Sequence, residues 1–126
     1  MGLFSLSAAA QDPSQAEKEA EKKLYESIEN EVQRLTNLLD LDDAQIFYVD
    51  SILTHDLKAI QDEYKDLTRQ KVTNLDIYET ARLTWMEKIY CAYEKLFDEE
   101  QWAKYLKSGA ARDKKNRDKR LAKSQK

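Results

Sequence analysis

The stretches Leu41-Asp42-Asp43-Ala44-Gln45 and Phe97-Asp98-Glu99-Glu100-Gln101 follow one pattern, apolar-Asp-x-x-Gln, with the two glutamines 56 positions apart. The pattern is a helix start. An aspartate at the cap accepts a hydrogen bond from a backbone N–H that the first turn leaves unpaired, and a glutamine three residues on reaches back to the N–H of the cap itself. Apolar residues flank each box at the spacing of a hydrophobic staple, Leu41 with Ile46 and Phe97 with Trp102. Two helices therefore begin directly after Asp42 and Asp98.

Outward from these boxes the chain reads as helices throughout. Asp12-Pro13-Ser14-Gln15 is a third Asp-x-x-Gln box, with proline at the favoured first helical position. Leu24, Ile28, Val32, Leu35 and Leu39 then recur in steps of three and four, which predicts a first helix ending near Leu39 or Asp40. Ile46, Val49, Leu53, Leu57, Ile60, Tyr64 and Leu67 stripe the second, expected to run to about Lys71. Thr73-Asn74-Leu75-Asp76 reads as a capping box between Thr73 and Asp76, with Val72 and Ile77 as its staple. The third helix that it opens is striped by Tyr78, Ala81, Trp85, Ile89, Ala92 and Leu96. A fourth follows Asp98, carries Trp102, Tyr105 and Leu106, and meets a natural stop at Gly109; the Lys/Arg-rich segment beyond can continue as a frayed helix.

Composition agrees. Two glycines and one proline in 126 residues leave little material for hairpin-rich β structure, and 41% hydrophobic against 36% charged residues argues against simple disorder. The expected fold is all-α: four helices, a long central antiparallel hairpin of helices two and three, and shorter flanking helices. Short connections favour antiparallel neighbours. A hairpin this long leaves apolar stripe uncovered, so a homodimer is expected. The domain reading is 1–11 as a remnant of a secretory signal, 12–109 as the helical domain and 110–126 as a basic tail. Ala8-x-Ala10 before Gln11 resembles a signal cleavage site, but no basic region precedes it. Either the signal extends further upstream or this is a small-residue leader without a role. No apolar stretch approaches the ~20 residues of a membrane span.

With these elements placed, the two boxes resemble the apolar-Thr-x-x-Gln motifs of the Spy/CpxP-like periplasmic family. The resemblance covers roughly residues 36–107. Asp42 and Asp98 stand where the family has threonine, with the capping chemistry kept, and Ile89-Tyr90 followed by Leu96-Phe97 and the Gln101 box resembles the family's last helical junction. The resemblance implies a dimeric cradle and a periplasmic, ATP-independent chaperone or envelope-stress modulator that binds unfolded or partner proteins. A non-catalytic helical adaptor or structural module with one fixed protein partner is the alternative function, and the cytoplasm the alternative location.

The chain holds twelve aromatic residues, seven Tyr, three Phe and two Trp, more than one stripe can absorb, and Tyr90 and Tyr93 fall on different sides of helix three. Some pack against neighbouring helices or in a dimer seam. Others supply an aromatic contact face, for which Phe47, Tyr48, Tyr78 and Trp85 are the candidates; Asp42, Gln45, Asp98 and Gln101 are read as structural caps. His55 is the only histidine and Ile52 stands three residues before it, so neither a zinc set nor a Glu-x-x-His pair is present. It reads as a surface histidine, and the lone Cys91 as a small packing residue. No Gly-rich phosphate loop and no nucleophile–base motif occurs. The expectation is accordingly no enzyme, no cofactor, no metal and no small-molecule substrate. From Lys107 to Lys126, nine Lys or Arg face only Asp113 and Asp118, a balance of +7 that leaves −10 on the rest. The tail 111–126 has three readings: a solvated, partly disordered terminus; a contact for nucleic acid or an anionic membrane; or a segment folded against the acidic body.

Overall fold

The computed structural model describes residues 14–124. The predicted secretory remnant and the proposed Asp12-Pro13 start lie outside the described residues. Five α-helices follow one another: α1, Gln15–Leu39; α2, Asp43–Arg69; α3, Leu75–Leu96; α4, Glu99–Tyr105; and α5, Ala111–Ser124. A wide turn over Leu106–Ala110 joins α4 to α5, so the last two form one helical arm kinked at Gly109, whose φ is 119°. No strand occurs among the described residues, and the all-α expectation holds.

Four of the five N-termini are closed by side chains. Asp42 and Asp98 make the two reciprocal boxes that their sequence spells. Two other starts are displaced from the sequence reading. Ser14, not Asp12, caps α1, its hydroxyl accepting from the Glu17 N–H at 3.1 Å. Asn74, not Thr73, caps α3 by accepting from Asp76 N–H at 3.0 Å. Each of these caps stands directly before the first helical residue, where its side-chain oxygen reaches a free N–H of the first turn. Asp40 ends α1 in the left-handed region (φ 53°), and Lys71 follows α2 in the same region (φ 61°), with Val72 N–H returning to Leu67 O.

Antiparallel α2 and α3 form the central pair, α1 packs on α2 and on α4, and α5 packs on α3. The central hairpin is therefore as expected. Contrary to expectation, the flanks are not all shorter than the hairpin: α1 has 25 residues against 22 for α3, and the basic tail forms a 14-residue helix rather than a frayed end. The core gathers Ile28, Leu35 and Leu39 from α1, Leu41, Val49 and Leu53 around α2, and Ile89, Tyr93 and Phe97 from α3. The stripes of α1 and α2 face inward as read. On α3 the buried residues are Leu83, Ile89 and Tyr93, of which the predicted stripe contained only Ile89. A helix flanked on both sides buries two faces, and one row at 3.6-residue spacing cannot describe it.

Candidate functional site

The α1–α2 and α3–α4 corners meet at one end of the bundle, and the paired glutamines join them. Each glutamine first completes its own cap: Gln45 Oε1 accepts from Asp42 N–H at 3.1 Å, and Gln101 Oε1 from Asp98 N–H at 3.0 Å. The two amides then face one another. Gln45 Nε2 donates to Gln101 Oε1 at 2.8 Å, and Gln101 Nε2 donates back to Gln45 Oε1 at 3.0 Å. The second hydrogen of each amide crosses to the other corner, Gln45 to Leu96 O and Gln101 to Leu39 O, both at 3.3 Å. Two donors and two acceptor sites per amide are all used. Gln101 is buried, and Leu41 and Phe97, the apolar residues just before the caps, are buried beneath. Nothing in the sequence shows that the boxes touch; their shared pattern marks only equivalent places.

The four candidate aromatic residues do not form one surface. Phe47 and Tyr48 lie near the joint, 65% and 54% exposed, with their rings edge to face at 5.6 Å. Tyr78 lies toward the opposite end, its hydroxyl donating to Val72 O at 2.8 Å and its ring against Tyr64. Trp85 is midway, its Nε1–H donating to Glu63 Oε1 at 2.8 Å while Lys88 covers its face at 3.9 Å. Tyr78 and Trp85 are thus packing residues between α2 and α3, whereas Phe47 and Tyr48 are open. Phe47 belongs to a shallow groove of about 350 Å³ between α1 and α2, shared with Tyr25, Ile28, Val32 and Ile46 and rimmed by Glu29 and Asp50. Tyr25, half-exposed, was missed by the sequence reading although it directly follows Leu24 of the α1 stripe.

Five further aromatics, Tyr90, Tyr93, Phe97, Trp102 and Tyr105, pack together at the kinked arm. Tyr93 contacts Phe97 and Tyr105, and Tyr90 meets Trp102 at 5.0 Å beneath Lys114 and Arg117. Burial, with the Glu31 carboxylate adding to it, pushes the Tyr105 hydroxyl up to about 12, and burial raises Tyr93 further. The arm is held by charge. Glu87 on α3 pairs with Lys114 and with Arg117 at 3.1 Å, and Glu79 pairs with Arg82 at 2.9 Å and with Arg120 at 2.6 Å. The hydrogen bond from Arg82 holds the Glu79 carboxyl below the usual range, and the one to Glu87 raises Lys114. Of the three readings of the tail, folding against the acidic body is the one the structure contains. The spacing of Glu79 and Glu87, two turns apart, was the available signal.

His55 is a surface histidine, its Nδ1 2.7 Å from Asp56 Oδ1. Cys91 is exposed rather than packed, which corrects its reading as a filler residue; it sits on the outer side of α3 between the buried pair Ile89 and Tyr93. Among the described residues no cluster of three or more His, Cys, Asp or Glu is placed to hold a metal ion, and no helix is long and apolar enough to cross a membrane. No family model, curated protein or solved structure matches the chain.

Proposed function

We propose that the protein is a non-catalytic binding protein of the Spy/CpxP-like kind, an exported, dimeric, ATP-independent chaperone or envelope-stress modulator. The observation that carries this reading is the open pair Phe47 and Tyr48 beside the Tyr25 groove. Two adjacent aromatic rings left to solvent on a well-packed helix present apolar area with polar tips, which suits reversible contact with exposed segments of other chains. Glu29 and Asp50 on the rim favour clients whose apolar patches carry basic residues, and they raise the encounter rate with them. The double capping box supports the family likeness.

Suppression of aggregation of a chemically denatured protein at stoichiometric amounts tests the proposal. The native chain should suppress it, and Phe47→Ser/Tyr48→Ser should lose most of that effect while keeping its melting temperature. Absence of suppression at both low and high salt removes the chaperone reading. The small size of the groove favours a second reading, a non-catalytic adaptor that takes one fixed helical segment. Saturable binding to one partner, with indifference to unfolded proteins, distinguishes it.

A further inference from the structure

The end of the bundle opposite the glutamine joint is built differently, and its chemistry is not used by the aromatic groove. Leu75 and Ile77, in the first turn of α3, are 78% and 45% exposed. They are aliphatic, with no polar tip to satisfy in water. Cations stand toward the same end of the bundle. The α2–α3 turn supplies exposed Arg69 and Lys71, and α5 runs antiparallel to α3 so that Arg120 and Lys123 line a groove with Asp76, Glu79 and Thr80. Lys119 is exposed one residue before Arg120. Two acids at this end are engaged: Asp66 with Arg69, and Glu79 with Arg82 and Arg120. Lys71, Lys119 and Lys123 make no ion pair among the described residues; neither does Asp76, nor do Glu17, Glu21 and Asp62 on the α1–α2 side of this end.

We propose that this end docks on an anionic lipid surface, Leu75 and Ile77 entering the acyl boundary while Lys71, Lys119 and Lys123 take headgroup phosphates. The combination selects the occupant. A nucleic acid offers phosphates but nothing that removes two aliphatic side chains from water. A second copy of the chain meeting tip to tip would oppose like charges across the seam. A bilayer with anionic headgroups supplies both an apolar layer and a negative rim, and each lysine near such a surface adds attraction that falls off within a Debye length.

Co-sedimentation of the full chain with vesicles of phosphatidylglycerol and phosphatidylcholine, against vesicles of phosphatidylcholine alone, tests the proposal. Partitioning to the anionic vesicles should be roughly tenfold or more stronger and should fall with salt. Leu75→Ser/Ile77→Ser should lower it roughly tenfold through lost apolar burial. Lys71→Glu/Lys123→Glu should abolish it, and circular dichroism should show both variants folded. Equal partitioning to the two vesicles, or none, overturns the proposal. So does a Leu75→Ser/Ile77→Ser chain that binds like the parent while duplex DNA displaces both from vesicles, which would mark a general polyanion contact. A concentration-dependent dimer lost in that variant without vesicle binding would assign the tip to self-association instead. As a readout independent of the serine variants, Leu75→Cys in a Cys91→Ser background carries an environment-sensitive fluorophore. A blue shift on anionic vesicles supports insertion, and vesicle binding without a shift overturns it.

Discussion

The two ends of this bundle contrast. At the joint, Leu35, Val49 and Tyr93 are almost wholly removed from water, and every hydrogen-bonding position of Gln45 and Gln101 is filled. At the hairpin tip, two helices turn in five residues, one asparagine caps the new helix, and Leu75 and Ile77 remain open. The difference teaches where stability and adaptability reside. Interlocked polar groups under apolar cover fix one corner geometry, because each lost bond would leave a buried group unpaired. A tip whose apolar side chains are already open can change its surface without loss of the fold.

Substitutions should separate the ends. The largest effect is expected at Tyr93: Tyr93→Ala removes the ring that Phe97 and Tyr105 pack against and should cost ~3–5 kcal/mol in denaturant unfolding. Tyr93→Phe sharpens the point. The buried hydroxyl makes no hydrogen bond with the described residues, so its removal should be neutral or mildly stabilising. Next, Gln101→Glu places a carboxylate where two donated bonds are needed, to Gln45 Oε1 and Leu39 O. A cost of roughly 3 kcal/mol is expected at neutral pH, falling as the solution is acidified, because burial favours the protonated acid. Serine at Leu75, by contrast, should shift unfolding by under about 0.5 kcal/mol.

Smaller effects test the kinked arm and the corners. Glu87→Ala leaves the buried Arg117 guanidinium without its carboxylate and should cost ~2 kcal/mol, with α5 amides losing exchange protection before the rest of the molecule. Acid should loosen the same arm. The Glu79 carboxyl is held below its ordinary value, chiefly by Arg82, so its contribution is present above that ordinary value and lost as the pH falls through the lowered one. The last is a gain. Asp40 sits at φ 53°, where glycine carries no steric penalty, and Asp40→Gly should stabilise by roughly 0.5–1 kcal/mol.

Much of the fold was legible in the sequence because local and global signals agree. The boxes at Asp42 and Asp98 are capping boxes, and Ile28, Leu35, Val49 and Leu53 face inward as their spacing requires. What was not legible follows from relations between distant segments. Caps at Ser14 and Asn74 compete with neighbouring polar residues one or two positions away, and spacing alone does not choose between them. Leu83 and Tyr93 fall outside a single stripe because α3 is covered from two directions. The docking of α5 depends on Glu79 and Glu87 lying opposite Arg120, Lys114 and Arg117, a match visible only once the arm turns back at Gly109. For the same reason the candidate aromatics divided. Phe47 and Tyr48 stay open, while Tyr78 and Trp85 find hydrogen-bond partners at Val72 and Glu63.

The central claim is that the facing amides of Gln45 and Gln101 hold two helix corners together, beyond capping each helix separately. A double-mutant cycle on denaturant unfolding of the parent, Gln45→Ala, Gln101→Ala and the double variant measures it most directly. The account predicts a coupling of about 1 kcal/mol or more between the two substitutions. Additive losses, within about 0.3 kcal/mol, would contradict it and reduce the pair to two independent caps.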